Sequence, residues 1–146
     1  MARQKSKNPV EEYLYQAWYI DTNIESLERQ LERLKQQAYS PTTSSLAEPV
    51  SGGEKHSRTE ESALKIIEYE SELNEMRNNY TRVKLDIQRA IEEVEDIRQR
   101  TILRLRFIDQ MTFWDISYKI HYGKSQTFQF YKNALKNIKI PKNFPY

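Results

Sequence analysis

Residues 66–97 read IIEYESELNEMRNNYTRVKLDIQRAIEEVEDI. Apolar or aromatic side chains fall at Ile66, Tyr69, Leu73, Met76, Tyr80, Val83, Ile87, Ala90, Val94 and Ile97, alternately three and four residues apart. That spacing puts all of them on one stripe of an α-helix. A second stripe lies upstream, at Tyr13, Ala17, Ile20, Ile24, Leu27, Leu31, Leu34 and Ala38, spaced four and three. At about 1.5 Å per residue the two helices reach roughly 45 and 60 Å, and neither can bury its stripe alone. The simplest closure is an antiparallel hairpin. The rival is a parallel coiled coil between chains. Both can hold together, because two-helix hairpins leave one side of the seam open and often dimerise, so a homo-oligomer is expected.

The flanks of these stripes set the boundaries. Helix 1 is expected to begin near Pro9, whose missing N–H costs nothing in a first turn, after a basic N-terminal tail at 1–8. Residues 39–58, YSPTTSSLAEPVSGGEKHSR, hold two of the five prolines and two of the three glycines, and read as a flexible loop. Thr59 and Ser62 are cap candidates for helix 2. Residues 9–97 thus form a helical hairpin, and 98–146 a separate C-terminal domain.

Composition narrows the function classes. The chain has 146 residues, 30% charged and 38% hydrophobic, with three glycines and no cysteine. Sandwiches and barrels need more turn residues than this. Disulfides, thiolate nucleophiles and cysteine zinc sites are excluded, which fits a reducing compartment. There is no apolar run of about 18 residues to cross a membrane. The basic start MARQKSKN is not followed by the apolar stretch of a secretory signal. His56 and His121 each stand alone, so no metal site is expected. Glu92-Glu93 and Glu95-Asp96 fall on a solvated coil face with nothing to raise a pKa. Gly52-Gly53 lacks the Lys-Ser/Thr of a phosphate loop. The expectation is a cytoplasmic, all-α protein that is not an enzyme and uses no cofactor.

Charge is distributed unevenly. Residues 1–97 hold 13 Lys/Arg and 19 Asp/Glu, a net −6, whereas 98–146 hold 10 and 2, a net +8. Positive charge concentrated on a short segment favours a polyanion, most often nucleic acid. That segment also reads as three short helices. Ile102, Leu103, Leu105, Phe107 and Ile108 mark the first, and Asp109-Gln110-Met111 a turn. Thr112, with Asp115 three residues on, caps the second, which runs to Ile120. His121-Tyr122-Gly123 makes a tight turn, and a last helix runs from Lys124 to about Ile140, ended by Pro141. Phe113, Ile116 and Ile120 form the inner face of the middle helix. Thr127, Phe130 or Tyr131, Ala134, Leu135 and Ile138 form that of the last. Lys124, Ser125, Gln126, Phe128, Gln129, Lys132, Asn133 and Lys136 then point outward. With Thr112, these are the candidate DNA-binding residues: amides for adenine edges, lysines for guanine or phosphate, and no acid among them.

The stretch TFWDISYKIHYGKSQTFQFYKNALKNI resembles, without gaps, the C-terminal helix-turn-helix of bacterial sigma factors. The shared frame is Thr112, Phe113, Asp115-Ile116, a turn, and Ala134-Leu135. Placed after two heptad helices and the segment LRLRFIDQMTFWDIS, it is similar to small phage late-gene transcriptional regulators of the RinA and ArpU type, from phages of low-GC Gram-positive bacteria. The specific part of the likeness spans Arg100 to Asn143. Where sigma factors carry Arg and Glu at the tip of the recognition helix, this chain has Lys124, Ser125, Gln126 and Phe128, so sigma promoter preference does not carry over. The resemblance implies a sequence-specific regulator of phage or prophage transcription, acting on double-stranded DNA, with host RNA polymerase a further candidate partner. The alternatives are a DNA-packaging protein like a small terminase subunit, and a helical adaptor for RNA polymerase or another protein.

Overall fold

The computed structural model describes residues 8–39 and 54–144. The expected N-terminal tail, Asn8 apart, and most of the expected 39–58 loop lie outside the described residues. The elements are α1 (Pro9–Tyr39), α2 (Glu54–Glu92), α3 (Ile97–Leu103), a π-helical turn (Arg104–Ile108), α4 (Phe113–Ile120) and α5 (Lys124–Asn137). The fold is all-α, a two-helix hairpin followed by a C-terminal helical region, with no strand among the described residues.

Local chemistry explains the ends. Asn8 Oδ1 accepts from the Val10 N–H at 2.9 Å, which places Pro9 in the first turn of α1. Helix α2 begins at Glu54, five residues before the expected cap at Thr59, directly after the last glycine of the preceding segment. It ends at Glu92, where the heptad spacing predicted a helix continuing to Ile97. Asp96 is the reason: its carboxylate accepts from the Arg98 N–H (2.8 Å) and the Gln99 N–H (3.3 Å) and starts α3 as a fresh helix. Arg100 closes the break by donating from Nε to the Val94 carbonyl (2.9 Å) and from Nη2 to that of Glu95 (3.3 Å). At the other end, α5 stops at Asn137 rather than near Ile140, because Ile138 turns to extended backbone and is buried.

The chain packs as two compact units: Met1–Asp21 with Thr81–Tyr146, and Thr22–Tyr80. The sequence boundary at Arg98 follows the charge, whereas the packing gathers α3–α5 with the first part of α1 and the last part of α2. In the smaller unit, Leu27 and Leu31 of α1 bury against Leu73 of α2 with Leu34 alongside, and Tyr69 Oη donates to Gln30 Oε1 (3.3 Å). In the larger unit the core is Tyr13, Leu14, Ala17 and Ile20 of α1, Ile87 and Ile91 of α2, and Val94, Ile102, Leu103, Phe107, Ile116, Tyr131, Ala134 and Leu135. Burying one such aliphatic or aromatic side chain contributes about 1.5–3 kcal/mol. Asp21 ties the same unit together, pairing with Lys84 and accepting from Gln110 Nε2 at 3.0 Å.

The two predicted stripes fare differently. On α1, Tyr13, Ala17, Ile20, Leu27 and Leu31 are buried and Ile24 and Leu34 half-buried. On α2, Leu73 and Ile87 are buried, as is Val94 just beyond its end, but Tyr69, Met76 and Tyr80 are exposed, as is Ile97 at the start of α3. The covered stripe is rotated, taking in Ile91 and half-covering Glu70, Arg77 and Lys84. A single neighbouring helix covers only a narrow strip, and the α2 apolar surface is wider than that strip.

Candidate nucleic-acid interface

Helix α4 starts as the sequence predicts. Thr112 Oγ1 accepts from the Asp115 N–H at 3.2 Å and caps it. Ser117 is buried and donates to the Trp114 carbonyl at 2.7 Å. His121 ends the helix in the left-handed region (φ 63°), which reverses the chain within the tight turn. Gly123 then precedes α5 at φ −63°, ψ 157°, with no side-chain cap and open space where a Cβ would stand. The buried Thr127 holds the first turn of α5, its Oγ1 donating to the Gly123 carbonyl at 2.9 Å.

The inner face of α5 is as expected. Thr127, Tyr131, Ala134, Leu135 and Ile138 are buried, and Phe130 is half-buried beneath the Arg98 guanidinium, 4.9 Å from its ring centre. Of the two candidates at that position, Tyr131 is the core residue. It packs on Phe113 (4.8 Å between centroids) and Phe107 (6.1 Å), and its hydroxyl donates to Glu11 Oε1 at 2.8 Å. Burial, then the Glu11 carboxylate, push its pKa far above the ordinary tyrosine range, so the hydroxyl stays a donor. Asn137 Nδ2 donates to the buried Gln99 Oε1 at 2.8 Å, fastening α5 to α3.

The outer face carries the candidate residues. Lys124, Ser125, Gln126, Phe128, Gln129, Lys132 and Lys136 are all exposed, and Asn133 is half-buried. No acidic residue occurs between Lys124 and Asn137. Two of the lysines lean on rings, Lys124 Nζ over Trp114 and Lys132 Nζ over Phe128, each 4.8 Å from the centroid. Phe128 in turn meets Phe113 edge-on at 5.6 Å. Thr112 is exposed but its hydroxyl already serves the cap, so its place in the candidate set is structural before it is anything else.

Two features of this region escaped the sequence reading. Trp114 and Tyr118 stand one turn apart on α4, 67% and 85% exposed, beside the candidate face. Their i, i+4 spacing was the available signal. The second is Arg106, in the π-helical turn, whose guanidinium lies 4.8 Å from the Trp18 ring centre, 4.6 Å from Phe113 and 5.8 Å from Tyr15. Its Nη1 donates to the Met111 carbonyl (2.9 Å) and its Nη2 to Tyr15 Oη (3.1 Å), while Trp18 Nε1 donates to the Arg106 carbonyl (3.1 Å). The wide turn allows this: Asp109 N–H reaches back to Arg104 and Met111 N–H to Leu105, so Arg106 presents its carbonyl to the indole. Tyr15 and Trp18 thereby brace the segment that leads into α4.

No helix among the described residues is long and apolar enough to cross a membrane. Neither the curated proteins nor the solved structures contain a match to this chain. Residues 38–139, from the end of α1 to just past α5, match the family described as "Protein of unknown function (DUF1492)", and the chain belongs to that family.

Proposed function

We propose that this member of the DUF1492 family is a sequence-specific DNA-binding regulator of transcription, encoded by a phage or prophage and acting in the cytoplasm of a bacterial host. The observation that carries the reading is the outer face of α5: three lysines and two glutamines exposed, and no acid along the helix. In this reading α5 lies in the major groove of double-stranded DNA with α4 crossing the backbone. Gln126 and Gln129, near the helix start, meet base edges, where an amide pairs with adenine through two hydrogen bonds. Lys132 and Lys136, one and two turns further on, meet phosphate. The likeness to sigma-type helix-turn-helix regulators supports the same docking. Contact with RNA polymerase belongs to this reading as a second step.

Selection of bound fragments from the source genome, followed by footprinting at several salt concentrations, tests it. A discrete protected site is expected, with affinity falling steeply between about 50 and 200 mM salt as counterions are released. Absence of any DNA affinity at low salt refutes the reading and leaves a protein adaptor. Ring-shaped assembly on a packaging site instead of a promoter supports the packaging alternative.

A further inference from the structure

Helix α4 turns two rings to solvent. Trp114 and Tyr118, four residues apart and so neighbours on one face, are 67% and 85% exposed. The inward side of the same helix is filled by Ile116, buried, and Ile120, half-buried. From Phe113 to Lys132 every exposed large apolar side chain is aromatic, Tyr122 and Phe128 being the other two, and no aliphatic joins them. Cations stand among these rings. Lys124 Nζ lies 4.8 Å from the Trp114 ring centre, and Lys132 Nζ the same distance from that of Phe128. Lys119, next to Tyr118 in the chain, is exposed as well. The only acid between Gln110 and Tyr146 is Asp115, about 100° around the helix from Trp114. All of these residues belong to one compact unit, the one that includes Thr81–Tyr146.

Rings paired with lysines select the occupant. Protein interfaces favour aromatic side chains but are depleted of lysine. Nucleic acid uses both, because bases stack on rings while ammonium groups take the phosphates. A duplex has little use for the ring faces: its bases are stacked on one another and offer only their edges to the grooves. Unpaired bases have open faces that every ring can cover, whatever the sequence. RNA is marked by its 2′-hydroxyl, and ring faces offer that hydroxyl nothing to bond, so the strand that fits is DNA. A phosphate drawn to Lys124 brings its nucleotide beside the Trp114 indole, and the next nucleotide falls toward Tyr118 and Lys119.

We infer that Trp114 and Tyr118 form a stacking platform for unpaired bases of single-stranded DNA, with Lys124 and Lys119 meeting the flanking phosphates. This goes beyond the major-groove reading, which leaves both rings idle, and does not depend on it. Fluorescence anisotropy of the full chain at low salt tests it, with a labelled oligothymidylate and a random-sequence duplex of the same length as probes and circular dichroism confirming that each variant is folded. Trp114→Ala and Tyr118→Ala should each weaken binding of the oligothymidylate by about tenfold, the usual scale of losing one stacked base, and leave the duplex affinity unchanged. Trp114→Phe keeps a ring and should retain most of the affinity. It should also lose the quenching of tryptophan emission that the wild type shows with the strand, because the remaining Trp18 is half-buried and bonded to the Arg106 carbonyl. Binding of the strand but not the duplex would uphold the platform and sink the major-groove reading. The inference is overturned by a strand that does not bind, alanine variants that bind it as the wild type does, equal losses on strand and duplex, or quenching that survives Trp114→Phe. Tighter binding of an oligouridylate of the same length would overturn the assignment to DNA.

Discussion

Replacing Arg106 by Ala should destabilise the unit that contains α3–α5 by about 5 kcal/mol. Two hydrogen bonds from a charged guanidinium, to the Met111 carbonyl and the Tyr15 hydroxyl, are lost, each worth about 1.5–3 kcal/mol. The contacts with the rings of Trp18, Phe113 and Tyr15 add about 0.5–1 kcal/mol apiece. Against this stands the buried Arg106 Nε, which has no hydrogen-bond partner and whose desolvation costs about 1–3 kcal/mol in the wild type. Removing that cost returns part of the loss, which brings the net to the figure given. Arg106→Lys should fall between, since an ammonium can keep one hydrogen bond but lacks the broad planar guanidinium that reaches all three rings. The assay is urea unfolding followed by tryptophan emission in a Trp114→Phe background, so that Trp18, bonded to the Arg106 carbonyl, is the only reporter. A loss below about 1 kcal/mol, within the range of an ordinary surface change, refutes the bracing role.

Gln126→Ala or Gln129→Ala should lose about 1–3 kcal/mol on the cognate duplex and nothing on a scrambled one, and equal losses on both would show that α5 docks by another face. Lys132→Ala and Lys136→Ala should weaken both complexes alike and flatten the logarithmic salt slope by about one each; an unchanged slope would take phosphate contact away from them. Gly123→Ser should raise stability by a few tenths of a kcal/mol, because the backbone already has ordinary cap angles and there is room for the side chain, and thermal unfolding that shows a loss would contradict the open geometry. Hydrogen bonds from the Arg98 and Gln99 backbone hold the Asp96 carboxyl below its usual pKa. A depressed folded-state value means its stabilisation is present above the unfolded-state pKa and fades as pH falls through the folded one. Asp96→Ala should therefore cost stability at pH 7 and little in strong acid, and a pH-independent cost would remove the charge from the explanation.

What could be read from sequence is what depends on neighbours three or four residues away. The α1 stripe, the Thr112 cap, the turn through Gly123, the start of α5 at Lys124 and its buried face are all of this kind. The end of α2 at Glu92 was hidden because Asp96 looked like one more charge on a coil face, while its carboxylate competes locally with helix continuation. The half-open stripe on α2 was hidden for another reason: period reveals which residues are apolar, not how wide a strip one neighbour covers. The Arg106 cluster joins residues 15, 18, 106, 111 and 113, and no window of sequence contains both parts. Its only trace was the crowding of Tyr15 and Trp18 off the α1 stripe.

The bond from Tyr131 to Glu11 closes a separation of 120 residues. A ribosome adding about 5–20 residues per second takes roughly 6–24 s from the addition of Glu11 to that of Tyr131, so Glu11, Tyr15 and Trp18 leave the exit tunnel well before Tyr131 does. During that interval α1 can shelter its aromatic side only against itself, α2 or a chaperone. The larger unit is thus completed late and as a whole, so an interrupted translation product would release a sticky helix rather than a usable fragment.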